Sequence, residues 1–302
     1  MKRRILVGLS VAALMATLPT LPTPARADVE SDLHALMVQA NSALEELGYD
    51  IRLEMIEYYT RRDEQGNTVF FSNVGNKQLA FDFVPGDPRR VGWSGPVGPG
   101  DDITWATDGS AGDGDAGFGI GIAATQTAVS SAMATWQNVT CSTLPLTAVA
   151  TGGLDIGFLE FLLGGDSLPV IAADVVHGGW GTAVDALLPP PIIAAAFTFF
   201  FSPGTDIDNN GKIDAALREI YYTRNFPWAI NGNIDVETVA LHEAGHGLSQ
   251  AHFGKLFRTT ANGRFHFAPR AVMNAGYTGV QQSLAGTDRA GHCSNWGSWP
   301  NN

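Results

Sequence analysis

The stretch His242-Glu-Ala-Gly-His246-Gly-Leu-Ser-Gln-Ala-His252 is the most informative part of this chain of 302 residues. His242 and His246 are four positions apart, so on a helix both rings point to one side and reach a single metal ion. Glu243 lies beside them, where a general base for zinc-activated water is needed. The pattern predicts a helix that carries a zinc site; the alternative is an ordinary helix with two surface histidines.

His252 is the candidate third ligand, and it needs a bend in the chain. On a straight helix it would lie about 15 Å along the axis from His242, whereas a zinc–nitrogen bond is about 2 Å long. The motif therefore predicts a sharp turn between His246 and His252. No Glu follows Glu243, which excludes a downstream Glu ligand, and Asp288, the only downstream Asp, has a less suitable spacing.

The same stretch resembles the zinc motif of the metzincin peptidases, and its lead-in from Asp235 is closest to the matrixin branch. Ala271-Val-Met273-Asn-Ala-Gly-Tyr277 is similar to the Met-turn of that family. The resemblance implies that Met273 lies beneath the zinc ligands and that Tyr277 lines a specificity pocket. It also implies a zincin-like domain, in which a twisted mixed sheet with helices carries the motif helix and the Met-turn.

Three shorter segments extend the resemblance, and one residue departs from it. Residues 103–105 look like the opening strand, 132–140 like the end of the first matrixin helix, and 286–291 like the start of the closing helix. Metzincins have Gly where Ser249 stands here. A left-handed backbone costs a non-Gly residue about 1 kcal/mol, which is far less than metal binding supplies, so we expect the turn to survive.

The first 27 residues have the pattern of a secretory signal. A basic start at residues 2–4 precedes an apolar core at 5–18, and Ala25-Arg-Ala27 is a small-x-small cleavage site; an uncleaved anchor is the alternative. The mature chain would hold 14 basic against 30 acidic side chains, a net charge of −16. Such a charge disfavours nucleic acid and anionic membranes. We expect a secreted or periplasmic monomer that does not bind membranes after cleavage.

The chain has two cysteines, Cys141 and Cys293. In an exported protein a pair of cysteines predicts one disulfide, with two separate buried thiols as the alternative.

Beyond residues 1–27, the pattern divides the chain into an N-terminal α+β region, 28–100, and a metallopeptidase-like domain, 101–302. The first region would be a propeptide, a separate module or an integral extension, and it contains no cysteine that could block a zinc ion. Periodicity predicts helices and strands of an α+β protein. The predicted helices are 33–47, 123–137 and one from Asp235, and the predicted strands are 51–55, 69–71, 79–83, 103–106, 194–201 and 219–222, with a linker at 95–100.

A second chemical motif is Asp206-Ile-Asp208-Asn-Asn210-Gly-Lys-Ile-Asp214. Oxygen side chains stand at positions 1, 3, 5 and 9 with Gly at position 6, which matches the start of an EF-hand-type calcium loop. Leu217 stands where such a loop has its Glu, so the alternative is a turn without an ion. The loop from Asp108 to Asp115 is a further place that could hold calcium, but its spacing fits no known calcium motif, and we expect it to be solvated.

The sequence thus predicts a secreted zinc metalloendopeptidase that hydrolyses a protein or peptide substrate, with calcium as a second metal. A zinc hydrolase of non-peptide substrates and a non-catalytic zinc-binding scaffold or adhesive protein are the alternatives.

Overall fold

The structure, a computed structural model, describes residues 26–61, 64–71, 81–90 and 102–300. Residues 1–25 of the predicted signal at 1–27, and the linker at 95–100, lie outside these residues. The described helices are α1 (Arg26–Leu47), α2 (Ile122–Gln137), α3 (Phe158–Leu162), α4 (Thr182–Asp185), α5 (Val236–Gly247) and α6 (Gly286–Trp296). No described helix is both long and apolar enough to cross a bilayer.

The described strands follow the same chain order. They are β1 (Ile51–Arg61), β2 (Thr68–Phe70), β3 (Phe81–Asp82), β4 (Ile103–Thr107), β5 (Leu146–Ala148), β6 (Val175–Gly179), β7 (Ile192–Phe201), β8 (Ile213–Tyr222), β9 (Trp228–Ala229), β10 (Ile234–Asp235), β11 (Lys255–Arg258), β12 (Phe265–Ala268) and β13 (Gly276–Tyr277).

Nine of these strands form one mixed sheet in the order β13-β1-β7-β8-β6-β4-β5, with β2 added to β1 and β3 to β8. Strands β8, β6, β4 and β5 are mutually parallel, whereas β7 is antiparallel to both β8 and β1. Strand β13 runs parallel to β1. The predicted α+β class with a mixed sheet is confirmed.

The two faces of this sheet bury separate apolar clusters because side chains alternate along each strand. On β7, Ala194 and Ala196 belong to the cluster that packs with α2, α5 and Trp296 of α6. Phe197 and Phe199 belong to the cluster that packs with α1 and α3. The sheet is therefore covered on both faces, and α5 lies on the face opposite to α1.

The N-terminal helix is longer than its periodicity predicts. It begins at Arg26 rather than at residue 33. The face that it buries is the predicted one, except that Leu47 is exposed. The buried side chains of that face are Leu33, Leu36, Met37, Ala40 and Leu44.

The alternation of Ile51, Leu53 and Met55 suggests a strand with one buried and one exposed face. Strand β1 is instead buried along most of both faces. It pairs along its length with β7 and at its end with β13. The N-terminal region therefore supplies a strand to the central sheet.

Two further differences concern loops. The chain after α5, expected to be mostly irregular, forms an antiparallel hairpin of β11 and β12. The loop at 108–117, expected to be solvated, buries Asp108 and Asp113. Asp108 accepts hydrogen bonds from the backbone N–H groups of Ser110 and Ile156, so this loop is tied to the core.

The predicted disulfide is present between Cys141 and Cys293, with 5.6 Å between the two Cα atoms. It links the chain just after α2 to α6, and so joins two elements of the α5 side of the sheet.

Candidate metal centre

Helix α5 begins where the sequence predicts. The Asp235 carboxylate accepts a hydrogen bond from the Thr238 backbone N–H at 2.9 Å and another from the Thr238 hydroxyl at 2.6 Å. This cap satisfies an orphan donor of the first turn. The Trp136 indole of α2 donates to the Leu241 carbonyl at 2.8 Å. The start of the helix and its rotation about its own axis are both fixed by these bonds.

Gly245 allows α5 to lie directly on the segment that resembles the Met-turn. A Cβ atom at this position would overlap the Met273 sulfur and would lie 2.9 Å from Cζ2 of Trp136. Met273 therefore packs against the helix between the two histidines of the motif. The place of Met273 beneath the ligands, which the family resemblance implies, stays a prediction.

The three motif histidines meet at their Nε2 atoms. The Nε2 of His246 lies 3.1 Å from that of His242 and 3.1 Å from that of His252. The three rings form one group that is able to hold a metal ion. The predicted turn that returns His252 to the helix is confirmed.

The opposite nitrogens of the helical histidines orient both rings. The Nδ1 of His242 is 2.7 Å from the Val272 carbonyl oxygen, and that of His246 is 2.8 Å from the Gln250 carbonyl oxygen. A carbonyl only accepts, so each Nδ1 carries the proton and each Nε2 presents a lone pair. A histidine that binds a metal ion through Nε2 has this tautomer.

The charge of the three rings depends on burial and on one carboxylate. Burial lowers the pKa of His242 and His252 well below the usual value, and the neighbouring imidazoles lower it further. For His246 burial is the largest single cause and lowers the pKa, but the charge and the hydrogen bond of Glu57, with smaller contributions from Glu243 and the Gln250 carbonyl, together outweigh it, and the net direction is upward. Oε2 of Glu57 lies 3.0 Å from Nδ1 of His246. A carboxylate behind a histidine ligand increases its basicity.

Glu243 is fully buried, and neither of its carboxylate oxygens has a hydrogen-bond partner among the described residues. The pKa of Glu243 is raised to about 8, mainly because burial disfavours the charged carboxylate; the charge of His246 opposes this shift and the charge of Glu57 adds to it. Buried carboxylates are normally hydrogen-bonded. An unsatisfied one beside three converging imidazoles suits a site whose missing partners are a metal ion and its water.

The turn after α5 rests on Ser249, whose φ of 62° is the left-handed backbone that the sequence predicts at this position. The buried guanidinium of Arg218 donates to the Ser249 hydroxyl at 2.8 Å and to the Gly247 carbonyl at 3.0 Å. Asn295 of α6 donates to the Ser249 carbonyl at 2.8 Å. Side chains from β8 and α6 therefore hold the turn from two directions.

Asp288, the alternative ligand in the sequence, has a different role. Its carboxylate accepts hydrogen bonds from the backbone N–H groups of Val272 at 2.9 Å and Met273 at 3.1 Å. It also accepts one from the Ala285 N–H at the start of α6. Asp288 thus supports the segment under the histidines and is not part of the group that converges on a metal.

Strand β1 covers the centre, and no local pattern of residues predicts this arrangement. The Tyr59 ring stacks on the His242 ring with 3.7 Å between centroids and 12° between planes. Tyr277 packs edge-on against Tyr59, and its hydroxyl accepts a hydrogen bond from the Asp235 N–H. Tyr277 is buried, so its role in a substrate pocket stays a prediction.

The candidate calcium residues come together where the turn between β7 and β8 meets the start of β8. Asp206, Asp208 and Asp214 form one group with oxygens close enough to share an ion. Asn210 lies in the same turn and donates to Asp208 at 3.0 Å. Asp214 also accepts a hydrogen bond from Arg89 at 2.6 Å.

A fourth carboxylate, which the sequence analysis did not include, borders this turn. Asp82 of β3 is fully buried and accepts hydrogen bonds on Oδ2 from Asn210 and Lys212. Its Oδ1 has no partner among the described residues.

Comparison of the chain with models of known protein families and with curated proteins found no match.

Proposed function

We propose that this chain is a secreted zinc-dependent metalloendopeptidase of the metzincin type, closest to the matrixins. The observation that carries the proposal is the convergence of three Nε2 atoms beside the buried, unsatisfied carboxylate of Glu243. His242, His246 and His252 would hold the ion. Two of these rings are already oriented by backbone carbonyls, so little rearrangement is needed to form the site.

Zinc in such a site lowers the pKa of a bound water and polarises the substrate carbonyl. The residues of the chain perform the proton transfers. Glu243 accepts the proton of the attacking water and passes it to the nitrogen of the leaving amine. Burial raises the pKa of Glu243 to about 8 in the metal-free chain; the positive charge of a bound metal ion would lower it and so favour the ionised carboxylate that accepts the proton.

Two alternatives use the same metal site. A zinc hydrolase of non-peptide substrates would show no activity in casein or gelatin zymography. A non-catalytic scaffold or adhesive protein has no use for Glu243, whose carboxylate is costly to bury without partners. The retained and buried Glu243 therefore supports an enzyme over a scaffold.

Replacing Glu243 by Gln tests the proposal directly. The amide has nearly the same shape but cannot act as a base, so Glu243→Gln should keep the fold and the zinc while turnover of a peptide substrate falls about 10²–10⁴-fold. The measurements are zinc content, circular dichroism and the initial rate. A variant that cleaves peptides within a few-fold of the parent would contradict the assigned role.

The ligand assignment has its own matched pair of variants. His252→Ala removes a ring from the group, whereas His266→Ala removes an exposed ring on β12. We expect about one zinc per chain in the parent and in His266→Ala, and much weaker zinc binding in His252→Ala. Equal zinc affinity in the two variants would remove His252 from the proposed site.

We also propose that calcium binds at Asp206, Asp208, Asn210 and Asp214. The three carboxylates are grouped, and calcium prefers clustered hard oxygens. Binding should raise the melting temperature of the zinc-loaded protein by mass action, when millimolar calcium is compared with a calcium-selective chelator. An unchanged melting temperature, or the same rise in Asp208→Asn, would contradict this site.

The proposed route of export predicts where the mature chain begins. Cleavage after Ala27 would give a protein that starts at Asp28, which N-terminal sequencing of the exported protein would detect. A chain that retains Met1 would support the uncleaved anchor instead.

A further inference from the structure

We infer that strand β1 occupies the site in which an extended peptide substrate would bind, and that it holds the chain in a closed, latent state. The inference rests on the proposed function and identifies how that same site is regulated. It starts from the position of β1 between β7 and β13. Without β1, both of these neighbours would expose backbone N–H and C=O groups beside the zinc motif, and such edges bind extended peptides.

The register places the end of β1 over the motif. Glu57 pairs with Ala196 of β7, and Thr60 is the partner of both Ile192 on one side and Gly276 on the other. The chain from residue 57 to residue 60 therefore crosses the metal centre as an extended strand with neighbours on both edges. A substrate that used the same edges would have to take this place.

The side chains of β1 close the site as well as its backbone. Tyr59 covers the face of His242 at 3.7 Å, and Glu57 lies 3.0 Å from Nδ1 of His246. Glu243, the proposed base, has no exposed oxygen. A peptide carbonyl therefore has no path to Glu243 while β1 is in place.

The opposite face of β1 explains how the closed state is maintained without a thiol. Leu53, Ile56 and Tyr58 are buried in the cluster that contains α1 and α3. Helix α1 and β1 are also joined by Asn41, which exchanges two hydrogen bonds with the Leu53 backbone at 2.8 and 2.9 Å. The helix and the strand are therefore expected to leave together, and packing performs the blocking that a cysteine would otherwise perform.

A reversible cross-link between β1 and β7 tests the inference in the full mature chain. Ile51 and Phe201 are partners across the two strands. The adjacent Ser202 N–H donates to the Asp50 carbonyl, so the 51–201 pair is of the non-hydrogen-bonded type whose Cβ atoms are close enough for a disulfide. The variant Ile51→Cys/Phe201→Cys is loaded with zinc during refolding and then compared in oxidised and reduced forms. The parent chain with the same oxidant and the same non-thiol reductant controls for the native disulfide.

Two quantities are measured in each form: the rate at which a strong chelator extracts zinc, and the rate of peptide cleavage. If β1 must leave to open the site, the chelator reaches the zinc only after local opening of the structure. The rate of zinc release from the oxidised form should then be lower than that from the reduced form by a factor of roughly ten or more. The oxidised form should also lose whatever cleavage the reduced form shows. Equal zinc release in the two forms overturns the inference.

A second pair of variants avoids the engineered cysteines. Tyr59→Ala removes the ring that covers His242, while Phe158→Ala removes a fully buried ring of α3 on the other face of the sheet. Both truncations weaken core packing. We expect zinc extraction to accelerate roughly tenfold in Tyr59→Ala relative to Phe158→Ala. The same rate in both variants would show that Tyr59 does not gate the metal.

The two proposals fail in different ways. Zinc release that depends on the cross-link, in a chain that cleaves no peptide even after proteolytic removal of residues 28–100, would support closure by β1 and overturn the peptidase. Cleavage that proceeds equally in the oxidised and reduced forms would support the peptidase and overturn closure by β1.

Discussion

Ser249 shows how one residue of this chain replaces the glycine that its family resemblance implies. A left-handed backbone costs a non-Gly residue about 1 kcal/mol. The Ser249 hydroxyl returns more than that, because a hydrogen bond to a charged partner contributes about 1.5–3 kcal/mol. That partner is Arg218, which is fully buried; burial lowers its pKa to about 10, so the guanidinium keeps its charge at neutral pH. The hydrogen bond of Ser249 to Arg218 therefore offsets the strain of the left-handed backbone at this position.

This argument predicts an order of stability at position 249. Ser249→Gly removes the strain of the left-handed backbone, but it also removes one hydrogen-bond acceptor of Arg218. The variant should therefore have a free energy of unfolding about 1 kcal/mol lower than that of the parent. Ser249→Ala keeps the strained backbone and also loses the bond, so it should be less stable still. Urea unfolding of the zinc-free proteins gives the order.

Phe118 supplies the control for that experiment. It also has a positive φ, 54°, but its side chain is 65% exposed. Phe118→Gly should be neutral or slightly stabilising, because relief of strain offsets the greater freedom of the unfolded chain. If Ser249→Gly behaves like Phe118→Gly, the Arg218 contact contributes nothing to the turn.

At the scale of the element, α5 could be predicted from the sequence almost completely. The histidine spacing, the Asp235 cap and the need for a turn before His252 are local features, and each has a local physical cause. The position of Met273 came from a resemblance. The sequence predicts a strand at the start of β1 but does not predict which strands pair with it. A period of two residues assigns side chains to the two faces of a sheet and does not identify the partner strand.

For the same reason, no pattern in the sequence indicates that Glu57 and Tyr59 contact the histidines. Glu57 lies 189 positions before His246, and Tyr59 lies 183 positions before His242. Only the pairing of β1 with both β7 and β13 brings them there. Asp288 is a similar case: its spacing allowed a ligand, whereas its contacts are backbone N–H groups near Met273. Long-range partners were the part of this site that local patterns could not supply.

The contact between α5 and Met273 yields a prediction for the helix. Ala is intrinsically better than Gly inside a helix, but at position 245 its methyl group would overlap Met273 and crowd Trp136. Overpacking of this kind costs about 1–3 kcal/mol. Gly245→Ala should therefore lower both the free energy of unfolding and the zinc affinity. Gly286→Ala, at the start of α6 where a Cβ meets open space, is the control and should change neither; equal behaviour of the two would contradict the close packing.

At the scale of the whole molecule, the elements around the candidate metal centre come from distant parts of the chain. Strand β1 supplies Glu57 and Tyr59, β8 supplies Arg218, and α6 supplies Asp288 and Asn295. Helix α6 is the last described helix, and the disulfide to Cys141 ties it to the α5 side of the sheet. The cross-link therefore stabilises an element that holds both the turn after α5 and the segment at Met273.

Removal of this disulfide gives the prediction for the whole fold. The bond spans 152 positions, and the entropy of closing such a loop corresponds to about 5 kcal/mol in the unfolded chain, with smaller losses common in practice. Cys141→Ser/Cys293→Ser should thus be about 2–5 kcal/mol less stable to urea than the parent. Because α6 donates to the Ser249 carbonyl and accepts from the Met273 N–H, the variant should also bind zinc more weakly at temperatures where it remains folded. A large loss of stability with unchanged zinc affinity would mean that the bond acts only on the unfolded chain and that α6 stays in place without it.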